Sequence, residues 1–227
     1  YHQYSGGFMK KRFLCAALAA MLISLSLSGC AAINAAAAPG EVEEFQIGTI
    51  EGNTYSNEFF GIGCQLDDTW KVLNEEEIAE RSGLVVDTME EGGLDDSMRT
   101  AMENGSVVFD FWAQKKDNTA AINITVGNIG ILYGTAMTEE GYIDATAEQM
   151  AEAIEAIGYE NVTTEKTTIT LAGTEHAALK LSGEFSGISI YQTMVVLRKG
   201  IYVGCVAFSC GGEDFADDLI TLFYALD

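Results

Sequence analysis

From Val162 to Cys210 the chain offers four runs of strand length with very little between them. The runs are Val162 to Leu171, Thr174 to Ser182, Ile188 to Arg198 and Ile201 to Cys210. The breaks are Ala172-Gly173, Gly183 to Gly187 and Lys199-Gly200. Breaks this short leave no room for a crossover helix, so successive strands must run antiparallel through hairpin turns. A four-stranded antiparallel meander is therefore expected here.

The segments around it add helices and further strands. Phe45 to Ile50 and Thr54 to Leu66 read as strands joined at Glu51-Gly52-Asn53. Trp70, after Asp67-Asp68-Thr69, closes the core. Asn74 is an N-cap for a helix over Glu75 to Arg81, and Glu77 completes a capping box. Gly92-Gly93 precedes a short helix from Leu94 to Asn104. Ser106 to Gln114 and Ala120 to Val126 form a strand pair across Lys115-Lys116-Asp117-Asn118. The long helix begins at the N-cap Thr138. Its inward stripe is Ile143, Ala147, Met150, Ile154 and Ile157, its outward acids run from Glu139 to Glu155, and Gly158 ends it. A closing helix is expected over Glu213 to Leu226, with Phe215, Leu219, Leu222, Phe223 and Leu226 buried. This order gives an α+β class: one domain, an antiparallel β-sheet with helices packed on it.

The start of the chain carries an address. Met9-Lys10-Lys11-Arg12 leads an apolar run from Phe13 to Leu27, and Leu27-Ser28-Gly29-Cys30 follows. This is the layout of a bacterial lipoprotein signal peptide: basic, apolar, small residues, then cysteine. The run is shorter than the about 20 residues of a membrane span. A plain signal peptide would not need cysteine at the cut. The organisation expected is a signal region over residues 1–29, a lipidated cysteine and tether over 30–44, and a globular domain over 45–227. Cys30 is the lipid attachment site, and two acyl chains on it would hold the protein stably at a membrane. Residues Tyr1 to Phe8 precede Met9 and read as an over-extended frame. Pro39, the single proline, lies in the small-residue tether.

Charge narrows the partners. Three of the 12 basic residues leave with the leader and no acid does, so nine face 34 acids and the mature net charge is −25. Such a surface repels nucleic acid and anionic headgroups, and it suits cationic ligands or basic partners. Cys15 leaves with the leader. Cys64, Cys205 and Cys210 remain in strand-like apolar settings, which reads as buried free thiols. A bridge from Cys64 to Cys205 or Cys210 is the alternative.

The layout resembles the PsbP-like fold. That fold is shared by an extrinsic subunit of photosystem II, a small Ran-binding nuclear import factor and many bacterial lipoproteins. The residues that carry the resemblance are Tyr55-Ser56-Asn57-Glu58-Phe59-Phe60-Gly61-Ile62, Leu66 to Trp70, and the pair around Phe109-Asp110-Phe111 and Ala121-Ile122-Asn123. The long helix before the meander and the terminal helix fit as well. The resemblance covers Thr54 to Asp227. The family's proline before the tryptophan is absent, and Asp67-Asp68-Thr69 fills that stretch. The resemblance implies an α/β/α sandwich that binds partners, and it carries over no catalytic residue.

Reactive groups are few. His176, the one histidine of the mature chain, lies on the more polar face of its strand, with Lys180 and Ser182. Any Ser-His-Asp or Cys-His site would have to use it, and no Gly-x-Ser-x-Gly elbow is present. The acid pairs Asp67-Asp68, Glu90-Glu91, Asp95-Asp96 and Asp217-Asp218 are adjacent, so their side chains diverge, and none follows a calcium-loop spacing. Gly127-Asn128-Ile129-Gly130 reads as a turn. No cofactor or metal is expected. Trp112 alternates with Asp110 and Gln114, which marks it as a candidate exposed binding surface. The function expected is a non-enzymatic binding or accessory module of the cell envelope, tethered to the membrane through Cys30 and meeting an envelope protein. A small-ligand or cation-binding lipoprotein and a hydrolase using His176 are the alternatives.

Overall fold

The computed structural model describes residues 43–91, 97–130, 134 and 136–227. Eleven strands and four helices lie wholly among the described residues and are numbered in chain order. The strands are β1 (Thr49–Glu51), β2 (Thr54–Asn57), β3 (Ile62–Gln65), β4 (Trp70–Val72), β5 (Val107–Lys115), β6 (Ala120–Asn128), β7 (Glu160–Leu171), β8 (Thr174–Phe185), β9 (Ile188–Lys199), β10 (Tyr202–Gly211) and β11 (Phe223–Ala225). The helices are α1 (Glu75–Glu91), α2 (Ser97–Glu103), α3 (Glu139–Ala156) and α4 (Ala216–Ile220).

The strands form two antiparallel sheets. The larger has seven strands in the order β4-β5-β6-β10-β9-β8-β7, and the smaller has four in the order β1-β2-β3-β11. The expected meander is the β7-to-β10 half of the larger sheet, and its pairings follow chain order. β10 then pairs with β6 and so joins the meander to the β5–β6 hairpin. Ala172 and Gly173, at the first of its turns, both adopt positive φ, as a tight hairpin turn requires.

Two cores lie on opposite faces of the large sheet. On one, α3 lays Ile143, Ala147, Met150 and Ile154 against Leu179, Met194, Val196 and Cys205. Thr138 caps α3 by accepting from the Gly141 N–H at 3.0 Å, and Gly158 leaves the helix with φ +99°. The other face carries Phe111, Ile122, Ile124, Val195, Val206 and Phe208, covered by Tyr55, Ile62 and Cys64 of the small sheet and by Leu219 and Phe223. Trp70 is buried there, as expected.

Three expectations are corrected. The strand expected over Thr54 to Leu66 is two strands, β2 and β3, around a turn in which Gly61 takes φ +68°. The terminal helix stops at Ile220, because Phe223 leaves the helix to pair with Cys64 and extend the small sheet as β11. The layering also differs from a sandwich with helices on both faces: the second face is covered by the four-stranded sheet and the five-residue α4. The molecule is thus a mixed α and β protein made mostly of sheet, with two antiparallel sheets. Gly92-Gly93 and Asp95-Asp96 lie outside the described residues, and α1 runs ten residues past the expected Arg81.

Candidate functional site

Cys30 and the tether up to residue 42 lie outside the described residues. The first described residues are held by the domain. Glu43 pairs with Lys199 at 2.8 Å, and Phe45 packs against Phe59, Phe60 and Tyr202 with ring centroids 5.4, 6.1 and 5.9 Å away. Lys199 also lies 4.6 Å over the Phe59 ring. A few residues on, the Gly48 N–H donates to Asp110 Oδ1 at 2.6 Å.

Asp110 is a group that alternation misplaced. It sits at the irregularity between Phe109 and Phe111, where β5 shifts register against β6. A bulge adds one residue and turns it out of the strand's ordinary alternation. Here it sends the carboxylate toward the small sheet. Asn57 Nδ2 donates to it at 2.7 Å and Tyr55 donates its phenolic O–H. Burial pushes the Asp110 carboxyl up from its ordinary value, against the lowering pull of those donors. Tyr55 is pushed up as well, first by burial and then by the neighbouring carboxylate. The cluster joins the two sheets and the incoming chain.

His176 faces a carboxylate. Pairing of β8 with β9 ends at Ala178–Val195, and the Ala177 N–H just beyond donates to Glu139 Oε2 at 3.0 Å. Glu139 Oε1 lies 2.9 Å from His176 Nδ1. Glu139, expected to face outward, instead turns inward from the first turn of α3 and fills the gap where the strands part. A carboxylate behind an imidazole fixes its orientation, as in a catalytic triad. The third member is the difficulty. His176 has no serine or cysteine partner among the described residues. Cys64, Cys205 and Cys210 are free and buried, and burial raises them to about 12, 12 and 11. Thiols held protonated in this way are poor nucleophiles.

Trp112 requires a correction. It is 0% exposed, so it marks no surface. α1 and α2, both packed on β5, cover the face that its alternation made polar. Its ring stacks on Phe109 at 5.7 Å, and the Arg81 guanidinium of α1 lies 5.5 Å from its centroid. Around it the helix-facing side of the sheet is unexpectedly polar: Gln114, Asn123, Thr125, Gln192 and Ser209 are all buried. Gln192 Nε2 donates to Ser209 Oγ at 2.9 Å, and Gln114 Nε2 to Asn118 Oδ1 at 2.6 Å. Trp112 Nε1 and both amide atoms of Asn123 have no hydrogen-bond partner among the described residues. Alternation assigned Asn123 and Thr125 to the polar side correctly, but only the covering helices bury them.

Of the acid pairs, Asp67 accepts from the N–H of Thr69 at 2.9 Å, and Asp217 lies 3.6 Å from Lys180. Among the described residues no group of three histidine, cysteine or acidic side chains is placed to hold a metal ion, and no helix is long and apolar enough to cross a membrane.

No protein-family model and no curated sequence matches the chain. Some solved structures align with part of it. One from Bacteroides thetaiotaomicron aligns with a TM-score of 0.42 and 9% identity, over 78% of this chain and 50% of that one. LpqN of Mycobacterium tuberculosis, described as involved in cell envelope biogenesis, aligns with a TM-score of 0.39 and 11% identity, over 73% of this chain and 83% of its own. The chain thus spans half the length of the Bacteroides protein. Likeness at this level brings no function with it.

Proposed function

We propose that the protein is an exported lipoprotein, acylated at Cys30 and held on the outer face of the cell membrane. Its domain acts there as a non-enzymatic binding or accessory module for another envelope protein. The observation that carries this reading is the succession of Met9-Lys10-Lys11-Arg12, the apolar run Phe13 to Leu27, and Leu27-Ser28-Gly29-Cys30. A mature net charge of −25 suits a basic partner surface and disfavours nucleic acid. The buried thiols, held protonated, and a His176 that meets no serine or cysteine among the described residues support binding over covalent chemistry.

The test is cross-linking of the native protein in intact cells, with Cys30→Ser as the untethered control. The expected result is one abundant envelope partner, lost or much reduced in the control, and membrane-fraction protein whose N-terminal peptide carries a diacylglyceryl group. A wild-type protein recovered unacylated and soluble would overturn the anchor. Partners unchanged in the control would overturn the need for tethering.

A further inference from the structure

A long strand lies at an open edge of the large sheet. Of the four edge strands in the two sheets, β1, β4 and β11 are three residues each. β7 is twelve residues long, and only Leu171 in it is buried. It pairs with β8 on one side, and no described strand pairs with it on the other. Folded proteins blunt such an edge by shortness, proline, an irregularity or a guarding lysine. β7 has no proline, and its irregularity between Glu160 and Thr163 leaves regular pairing from Thr163–Ser182 to Leu171–Thr174. Its one lysine, Lys166, is drawn onto α3 by Asp144 at 2.6 Å.

We propose that the outer edge of β7 is a docking surface for an extended basic segment of a partner protein, which adds to the large sheet as a further strand. Strand addition takes its affinity from main-chain hydrogen bonds and its selectivity from alternate side chains. The acids set the sign of the partner. Glu160 lies opposite Glu184, and Glu165 opposite Lys180. Lys180 and Glu184 are an even number of residues apart on β8, so all four side chains stand on one face. Both lysines of this hairpin already meet acids, Lys166 with Asp144 and Lys180 with Asp217 at 3.6 Å. The excess of acid is left for a lysine or arginine brought from outside. Further along the same face come the half-buried Thr167 and Ile169. The segment that fits therefore alternates, with a basic residue beside Glu165 and an apolar one beside Ile169.

A second copy of this chain fits poorly. Two-fold antiparallel pairing sets one residue opposite itself, and at the middle of β7 that residue is Glu165 or Lys166. Like charges directly opposite are destabilising. The mature net charge of −25 adds repulsion between whole copies. This inference names the partner chemistry for the binding module proposed above and rests on that reading, though not on the lipid anchor.

The test uses the detergent-solubilised full-length chain and a peptide of alternating valine and lysine. Amide exchange should slow at the β7 positions that do not bond to β8, while amides of β9 and β10 keep their rates. A peptide of alternating valine and glutamate should not bind, and neither should the valine–lysine peptide with alternate N–H groups methylated. Of Thr167→Pro and Thr168→Pro, the variant made is the one whose amide exchanges faster in the free protein, and it should abolish binding. Should it not fold, Glu165→Lys serves in its place and should weaken binding about fivefold. No protection at β7, equal binding of the acidic or methylated peptide, or binding unchanged in the folded variant would each overturn the proposal. So would β7 protection in the free chain that is lost on dilution, the sign of a second copy. Failure here with a partner still captured in cells overturns this surface alone. A bound peptide with no captured partner overturns the tethered-partner reading alone.

Discussion

Asp110 shows how one side chain can escape a pattern that its neighbours obey. Alternation placed it beside Trp112, on a face taken to be polar. The structure buries both residues and sends them apart, because the bulge at Asp110 breaks the parity of β5. Nothing in the local sequence announces that bulge. The pairing of Phe109 with Thr125 and of Phe111 with Ile124 is what reveals it. The consequence can be measured. A carboxyl whose folded pKa lies above its unfolded value contributes stability that is fully present below the unfolded pKa and is lost as pH rises through the folded one. For Asp110 the loss begins near its ordinary value of 3.8 and ends at the raised folded value. Asp67, Asp117 and Glu77 are held below their ordinary values by hydrogen bonds from Thr69, Thr119 and Lys71, and so act in the opposite sense. They are common to the wild type and Asp110→Asn, so the difference between the two proteins isolates Asp110. Urea denaturation across this range should show the wild type losing stability relative to Asp110→Asn as pH climbs. A difference that is flat or rising with pH would contradict the assignment. His176 was legible as the one histidine beyond the leader, but Glu139 behind it was not. Helical periodicity turns Glu139 outward, and only the parting of β8 from β9 draws it in.

Elements were readable where one local rule governed them and unreadable where a distant strand competed. Thr138, Gly158 and the four meander strands follow from caps, periodicity and turns, all of which act within a few residues. The box at the start of α1 is of the same kind. Asn74 Oδ1 accepts from the Glu77 N–H at 2.9 Å, and Glu77 accepts from the Asn74 N–H at 3.1 Å. Asn74→Ala should cost about 1 kcal/mol in chemical denaturation. The C-terminal segment is the counter-example. Phe215, Leu219, Leu222 and Phe223 have helical spacing, yet the helix ends at Ile220 and Phe223 packs edge-on to Phe208 at 5.5 Å. A strand partner in β3, far away in sequence, outweighs the local preference. Phe223→Ala should therefore destabilise by about 3–5 kcal/mol, as for a buried aromatic. A helix merely frayed at its end would lose far less, and thermal melts of the two proteins distinguish the cases.

Over the whole molecule, the mixed α and β class and the antiparallel order were accessible from pattern, but not how far sheet outweighs helix. The second layer was not, because it is assembled from three short strands near one end of the chain and one at the other. The polar floor under the helices was half visible: Asn123 and Thr125 were placed on the right face, but burial is a property of what lies above them. The thiols give a test at this scale. If Cys15 leaves with the leader and Cys30 is acylated, denatured mature protein should titrate three thiols with an aromatic disulfide reagent, and native protein close to none, given the burial of Cys64, Cys205 and Cys210. A fourth reactive thiol would place a free Cys30 in the mature chain. The fastening of the incoming chain has a mechanical meaning of its own. Glu43 on Lys199, Phe45 among three rings and Gly48 on Asp110 act in series ahead of β1. A pull on residue 43 meets these fastenings one after another before any tension reaches the β1–β2 ladder. The first strand of the small sheet is thereby shielded from peeling, and a load arriving along the leash is delivered to the middle of the large sheet.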